Sequence, residues 1–184
     1  VPTHDAASAK WVSGLLARDV TPGSGASLNT RDEALADALI ALRLHHDEAA
    51  VEQLRFAAAV SADAHVAGMR ATRGGGTEYQ TMAAMVGVLR AHGLEDAYGP
   101  IVTVHGEVLH AHEHLNPTAE GDLLLADVGG ETPEGWAADI TRVWPVSGRF
   151  SPTQRAIYDV VLNAEKACIE KVAPGVRYRD VHEC

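Results

Sequence analysis

The chain has 184 residues, 25 acidic and 15 basic, which gives a formal net charge of −10 at pH 7. This acidic balance argues against nucleic acid and against an anionic membrane surface as partners, because both are bound through clustered Lys and Arg. With 46% hydrophobic residues, the chain is long enough to bury a core, so we expect a folded domain of ordinary size.

The cysteine count and the hydropathy pattern bear on the cellular location. Cys168 and Cys184 are too few for a disulfide framework or a cysteine-based zinc site, and they fit a reducing compartment. No apolar run reaches the roughly 18 residues of a membrane span. The first residues lack the pattern of a signal peptide, and since residue 1 is Val, we expect that the natural N-terminus is not included. A cytoplasmic protein is the expectation.

We interpret residues 1–45, of which 1–30 are weakly patterned, as a connector or the tail of a preceding domain. Within them, residues 21–27 are rich in Gly and Ser, which is typical of a flexible link, and residues 31–44 carry a short helical pattern. A long helix with one apolar face is predicted from Asp47 to three consecutive glycines that begin at residue 74. We interpret these glycines as a turn, because no Lys-Ser/Thr pair of a phosphate-binding loop follows.

A second helix is predicted from the capping box at Thr77 and Gln80 to His92-Gly93. The β-branched and apolar runs that follow predict strands over residues 100–104, 108–112, 122–128 and 136–146, with a turn at 132–135. A third helix is predicted from the capping box at Ser151 and Gln154 to about Val172. This order of elements predicts an α+β fold.

Two aspartates are the main candidates for chemistry. Asp127 follows an apolar strand and Asp139 is flanked by apolar residues, so both side chains are expected to be buried. An isolated carboxylate in such surroundings must be paired, protonated or bound to a cation. Both are equally spaced about Pro133, so a hairpin turning at 132–135 would place them nearly opposite, about 5 Å apart. That spacing suits two carboxylates sharing divalent metals. The alternative is that one caps a turn and the other pairs with Arg142.

The histidines are the second candidate. His110, His112 and His114 alternate, so on a strand they share one face, with Glu113 opposite. Alternating histidines can ligate a metal, as in amidohydrolases and cupins. The alternatives are that one of them points at a substrate, or that the group is a partly exposed strand edge. Other histidines are in helical or terminal contexts and are expected at the surface or at helix ends: His45, His46, His65, His92 and His182.

The chain resembles the creatinase-like, or pita-bread, metallopeptidases, and within them Xaa-Pro aminopeptidase and prolidase most. The resemblance covers about residues 35–182 and implies long helices packed on a curved antiparallel sheet, with residues 46–184 as the first part of that fold. The matching runs are LLLADVGGE at 123–131, WAADITR at 136–142 and PVSGRFS at 145–151, with weaker matches at 46–48, 76–78 and 109–110.

The resemblance implies a role for three residues. Asp127 matches the first metal-ligand aspartate of the family, and Asp139 matches the second, which bridges two metal ions. His110 matches a histidine that lines the substrate site near the scissile bond, where it would help to stabilise the developing oxyanion. The resemblance also implies two divalent ions, most often Mn²⁺ with Zn²⁺ or Co²⁺ as alternatives, which would supply a water or hydroxide of lowered pKa for attack on the carbonyl before proline.

The function implied is a metal-dependent exopeptidase that cleaves the peptide bond before proline. It is either an Xaa-Pro aminopeptidase or a prolidase restricted to dipeptides. The remaining ligands of the family, one His and two Glu, belong to the second half of the fold, so we expect this chain alone to be inactive and to need that half. A homodimer is compatible with the resemblance. The alternatives are a non-catalytic pita-bread module that binds peptide or protein, and an amidohydrolase-type site on the alternating histidines.

Overall fold

The computed structural model describes residues 6–20 and 30–184. Its internal contacts divide the chain into two units, residues 1–49 and 50–184, and each is described by itself. Over the described residues, no helix combines the length and the apolar character that crossing a lipid bilayer requires.

The first unit contains the helices α1 (Ala6–Leu16) and α2 (Thr30–Arg43). The position of α2 confirms the short helix predicted over residues 31–44. The link predicted over residues 21–27 lies outside the described residues. The role of residues 1–45 as a connector or as the tail of a preceding domain stays a prediction.

The second unit combines helices with short antiparallel strands, so the α+β prediction is confirmed. In chain order its elements, of which α3 begins just ahead of the boundary, are α3 (Glu48–Ala71), α4 (Glu78–Ala91), β1 (Glu95–Asp96), β2 (Ile101–Thr103), β3 (Leu123–Asp127), β4 (Gly130–Glu131), β5 (Thr141–Pro145), α5 (Pro152–Lys171) and α6 (Tyr178–His182). β3 is the middle strand of a sheet with β2 and β5, and β1 pairs with β4 in a separate ladder.

The helix starts follow the predicted capping boxes. At the start of α5, Ser151 N–H donates to Gln154 Oε1 (2.9 Å) and Gln154 N–H donates to Ser151 Oγ (3.2 Å). These bonds satisfy N–H groups that the first turn of a helix leaves without partners. At the start of α4, Thr77 N–H donates to Gln80 Oε1 (3.2 Å).

The hydrophobic core lies between α3, α4 and one face of the three-stranded sheet. Along β3, Leu124 and Ala126 are fully buried while Leu123 and Leu125 are partly exposed, which is the period-two pattern of a strand with one face on the core. The buried cluster consists of Ala57, Val60, Ala64, Met85, Leu89, Leu94, Val102, Leu124, Ala126, Val128, Ala138, Trp144 and Val146.

Two of the predicted strands differ from the structure. Residues 108–112 form turns and irregular backbone, and Val108 and Leu109 are 52% and 82% exposed. β-branched and apolar residues favour a strand only where a neighbouring strand and a core face are present, and this segment has neither. The returning strand is shorter than predicted, because β5 begins at Thr141 and residues 136–140 are irregular apart from one bridge to Glu131.

α5 buries none of its residues. Its local interactions include an ion pair between Arg155 and Asp159, one turn apart, with Nε and Oδ1 at 2.8 Å. Such a pair between exposed side chains contributes little to stability, because water and salt screen it. The large apolar side chains of α5 that remain exposed are Ile157, Val160, Val161 and Ile169.

Gly129 lies between β3 and β4, where two backbone segments approach too closely for any side chain. A Cβ atom at this position would collide with the carbonyl oxygen of Ala138. The obstacle is backbone, and it is held by hydrogen bonds on both sides, from Ala138 N–H to Gly130 O (2.9 Å) and from Val128 N–H to Ile140 O (3.1 Å). The hairpin therefore requires glycine at position 129.

We expect Gly129→Ala to lower the free energy of unfolding by about 1–3 kcal/mol, because the added methyl group forces these segments apart. Urea unfolding followed by circular dichroism measures the change. Gly87→Ala is the matched control, since Gly87 is exposed inside α4 and a Cβ there meets nothing within 4 Å. It should stabilise the protein by up to about 1 kcal/mol. An unfolding midpoint of Gly129→Ala equal to that of the wild type would contradict the prediction.

Candidate metal centre

The hairpin that carries the two aspartates turns through three residues, Pro133 to Gly135. Thr132 N–H donates to Trp136 O (2.9 Å), and Gly135 has φ 84°. A glycine in the left-handed conformation is typical of three-residue hairpin loops. The turn predicted at residues 132–135 is confirmed, but its centre is Glu134 and not Pro133.

This shift of the centre changes the register of the hairpin. Asp127 pairs with Thr141, and Asp139 lies two residues before Thr141. The prediction that the two aspartates lie nearly opposite each other is therefore wrong, and they are diagonal neighbours instead. Diagonal side chains in an antiparallel pair still come within reach of each other and of a third long side chain.

The two carboxyl groups also differ in exposure. Asp127 is half-buried at the end of β3, whereas Asp139 is exposed. The expectation that both are buried is wrong for Asp139, because residues 136–140 leave the regular strand and turn this side chain to the surface of the described chain.

The hydroxyl group of Tyr98 joins the two aspartates. Tyr98 Oη lies 2.6 Å from Asp127 Oδ1 and 3.1 Å from Asp139 Oδ1. The two carboxylate oxygens cannot be further apart than the sum of these distances, so both side chains lie on one side of the hairpin. The structure thus brings together the two residues that the sequence singled out, with a different register from the one predicted.

The three oxygen atoms share one hydroxyl hydrogen. The Tyr98 hydroxyl can donate a hydrogen bond to only one carboxylate at a time. The shorter distance assigns this hydrogen bond to Asp127. Burial and the neighbouring carboxylates, Asp127 first, raise the pKa of Tyr98, so the hydroxyl stays protonated. In the second contact, the lone pairs of Tyr98 Oη then face the negatively charged Asp139 Oδ1 with no hydrogen atom between them. An arrangement of hard oxygen atoms with too few protons suits a divalent cation.

Tyr98 reaches the hairpin because β1 pairs with β4. The pairing continues past β1, where Ala97 N–H donates to Gly129 O (3.0 Å). This pairing places Tyr98, the next residue, over the backbone that connects Asp127 with Asp139.

Arg142 does not neutralise either aspartate. Its Nη1 donates to Thr141 O (2.7 Å) and lies 3.7 Å from Glu165 Oε1. The ion pair between Arg142 and one of the aspartates, which was the alternative interpretation, is therefore not formed. Across residues 6–20 and 30–184, no three or more His, Cys, Asp or Glu side chains converge as a metal-binding group. Asp127 and Asp139 could supply two carboxylates to a metal centre, which is fewer than the four or more ligands that a divalent ion takes.

The alternating histidines do not share a strand face, so ligation of one metal by all three is wrong. His114 is buried, and its Nε2–H donates to Pro100 O (3.0 Å). His110 and His112 are exposed, and His110 adopts a left-handed backbone conformation with φ 57°. A role of His110 at the substrate stays a prediction.

Two residues of α3 hold the backbone between the aspartates. Ser61 Oγ accepts from Gly130 N–H (3.0 Å) and donates to Ala57 O (2.7 Å). His65 Nε2–H donates to Val128 O (3.1 Å). Both side chains are buried, at 0% and 3% exposure, so the expectation that His65 lies at the surface is wrong. Spaced four residues apart, they face the hairpin from one side of the helix.

The sequence contained a usable signal for only some of these residues. Ser61 and His65 lie in the same helical stripe as the apolar Ala57 and Ala64, and polar residues inside an apolar stripe indicate a buried hydrogen-bonding role. Tyr98 had no such signal, because its position depends on the pairing of two very short strands.

Comparisons with known proteins agree on one family. Residues 52–184 match the sequence profile of metallopeptidase family M24. The chain is 36% identical to Xaa-Pro aminopeptidase 2 of Streptomyces coelicolor over 97% of this chain and 40% of that protein.

Solved structures agree with this. The aminopeptidase PepP of Pseudomonas aeruginosa superposes with a TM-score of 0.74 at 39% identity, over 77% of this chain and 33% of that one. A zinc-substituted Escherichia coli aminopeptidase P in complex with product superposes with a TM-score of 0.74 at 34% identity, over 77% and 32%. The chain thus spans less than half the length of each of these relatives.

Ser61→Ala should lower the free energy of unfolding by about 1–3 kcal/mol, because it leaves the buried Gly130 N–H without an acceptor. The control is Ser147→Ala, which removes an exposed hydroxyl that donates to Arg149 O and should change stability by less than about 0.5 kcal/mol. Equal urea midpoints for the two variants would contradict the assigned role of Ser61.

We expect acid to destabilise the protein through His65. Burial, and to a lesser extent the charge of Arg142, lowers the pKa of His65 below its ordinary 6.5. Below that pH the unfolded chain binds a proton at this ring more readily than the folded chain, so the stability is lost as pH falls. In His65→Gln the free energy of unfolding should depend less steeply on pH between about 6.5 and 5. An equally steep loss would show that His65 is not responsible.

Proposed function

The chain belongs to metallopeptidase family M24, and from this premise we propose that it is part of an Xaa-Pro aminopeptidase, a metal-dependent exopeptidase that cleaves before proline. The observation that carries the proposal is the contact of Asp127 and Asp139 with one Tyr98 hydroxyl, at 2.6 and 3.1 Å. The names of the relatives support the type of reaction. The activity of the whole protein remains our proposal, because the chain spans 40% of the Streptomyces relative.

We propose that Asp127 and Asp139 hold two divalent ions, Mn²⁺ in the physiological enzyme. The solved zinc-substituted form of a relative makes Zn²⁺ the first alternative. Divalent ions bound by proteins take four or more ligands, so the proposed centre needs donors other than the two aspartates. We propose that these come from protein segments outside the residues described, which would make this chain inactive by itself.

Bound metal ions would supply a water of lowered pKa and would polarise the scissile carbonyl. The residues of this chain would prepare the site for that chemistry. Asp127 is held in place by the hydrogen bond that the Tyr98 hydroxyl donates to it. The raised pKa of Tyr98 keeps this hydroxyl protonated and able to donate. His110 would line the substrate site near the scissile bond and stabilise negative charge developing on the carbonyl oxygen.

Other functions are supported less well. A non-catalytic peptide-binding module would gain nothing from two carboxylates around one hydroxyl hydrogen, because like charges held this close repel each other. An amidohydrolase-type site requires convergent histidines, and His110, His112 and His114 do not converge in the described structure. Restriction to dipeptides, as in prolidase, depends on how the peptide groove is closed, and we keep it as the second candidate. A homodimer and a cytoplasmic location are also proposals, the latter supported by the cysteine usage.

Asp127→Ala and Asp139→Ala should each abolish metal uptake by the intact protein and its release of the N-terminal residue from Xaa-Pro peptides. We expect turnover below roughly one hundredth of the wild-type value, since even outer partners of metal ligands cost about 10–100-fold. Metal content by elemental analysis and peptide hydrolysis measure the two effects.

The matched control is Glu95→Gln, because Glu95 is an exposed acid whose ion pair is with Arg90, at 3.2 Å. It should keep both metal content and activity. Chelation should remove the activity of the wild type, and added Mn²⁺ should restore it. Full turnover in either aspartate variant would refute the proposed site.

A further inference from the structure

Glu78 is a fully buried carboxyl group that neither the metal centre nor the core accounts for. It lies in the first turn of α4 with 0% exposure. Its Oε1 accepts from Val104 N–H (2.8 Å) and its Oε2 from Asn116 N–H (3.1 Å). Asn116 Nδ2 donates to both oxygens, at 3.0 and 3.1 Å. A carboxylate, which only accepts, matches a surrounding set of donors.

These donors stand at the two ends of one loop. Val104 follows β2, and Asn116 is the residue at which the chain returns to the start of α4. The return is reinforced by the backbone, since Glu78 N–H donates to Asn116 O (3.1 Å) and Thr77 forms a bridge with Pro117. One side chain thus closes the loop of residues 104–116.

Inside this loop the described hydrogen bonds are local. His105 N–H donates to Thr103 Oγ1 (2.9 Å) and Val108 N–H donates to His105 O (2.9 Å). Among the described residues, His114 forms a hydrogen bond from the loop interior to Pro100 O, and the ring of His112 lies beside Gly99. The shape of the segment from 105 to 113 therefore depends on how its ends are held.

The loop carries His110 at the edge of a cavity of about 360 Å³ that Asn116 also lines. The left-handed conformation of His110, φ 57°, is uncommon for a residue with a side chain and persists only where the surrounding structure imposes it. Closure of the loop ends by Glu78 is such a constraint.

We propose that Glu78 is a positioning residue for His110: by bonding both ends of loop 104–116 it holds the histidine in its left-handed conformation at the cavity. The consequence for catalysis rests on the proposed function of His110. The closure of the loop rests on contacts within this chain alone.

The decisive variant is Glu78→Gln in the intact protein. The amide keeps the size of the side chain. In either orientation it presents its N–H₂ group to one main-chain donor, Val104 N–H or Asn116 N–H, and that donor loses its acceptor. Hydrogen exchange at the hydrogen-bonded amides of this loop should become about tenfold faster, the factor for one buried hydrogen bond. These amides are those of Val104, His105, Val108 and Asn116. Exchange in β3 and β5 should stay as in the wild type. The control is Glu48→Gln, an exposed first-turn acid of α3, which should leave the loop unchanged.

Kinetics separate positioning from a general loss of stability. We expect Glu78→Gln to lower kcat roughly tenfold to a hundredfold, with KM and metal content nearly unchanged, because a displaced group costs rate more than binding. Combined with His110→Ala, it should add no further loss of kcat, since both changes remove the same contribution. His110→Gly should retain loop exchange near the wild-type rate, because glycine accepts the left-handed backbone.

Unchanged exchange in residues 104–116, or independent losses of kcat in the double variant, would overturn the proposal. If His110→Ala alone keeps full turnover, the proposed role of His110 fails, and the exchange rates still decide whether Glu78 closes the loop. If Glu78→Gln does not fold, Asn116→Ala serves instead, since it removes the two Nδ2 bonds and keeps the main-chain N–H. It should give a smaller increase of exchange in the same residues, and no increase would overturn the proposal.

Discussion

Two carboxyl groups and a phenol meet around a single hydrogen atom, and the candidate site depends on this shortage of protons. Asp127 and Asp139 both contact Tyr98 Oη, and the arginine nearest in sequence, Arg142, is engaged with Thr141 and Glu165. Two carboxylates held this close repel each other, and Asp127 is only partly open to the water that screens the repulsion. A divalent cation is the partner that converts such a cluster from a cost into a binding site.

The fold keeps these oxygens together by holding the backbone beneath them. Ser61 and His65 bind Gly130 and Val128 from one face of α3, and Gly129 between them admits no side chain. The segment that connects the aspartates is therefore fixed to the helix on one side and to the opposite arm of the hairpin on the other. Tyr98 is brought over it by the short ladder of β1 and β4. The two aspartates are positioned by main-chain contacts with rigid elements, which is how a site attains its precision.

A second support of the same kind serves the histidine loop. Glu78 bonds Val104 and Asn116, so the loop with His110 is tied to the start of α4, while the aspartates are tied to α3. The two helices that pack on the sheet thus each hold one half of the proposed chemistry, the metal ligands in one case and the substrate-site histidine in the other. Buried polar side chains that bond backbone make this possible, because each satisfies main-chain groups that would otherwise be unpaired.

The sequence by itself determined the α+β class, the capped starts of α4 and α5, the position of the hairpin turn and the choice of Asp127 and Asp139, since these follow from local periodicity, capping residues and the low tolerance of apolar segments for charge. The resemblance to pita-bread metallopeptidases was carried by the same hairpin. Only the tertiary structure decided the register, because one residue more or less in the turn is set by Gly135 and its left-handed φ. It also decided that residues 108–112 form no strand, that His65 is buried and that Tyr98 joins the aspartates. Each of these depends on which distant segment comes to lie alongside, and a local pattern contains no information about such a partner.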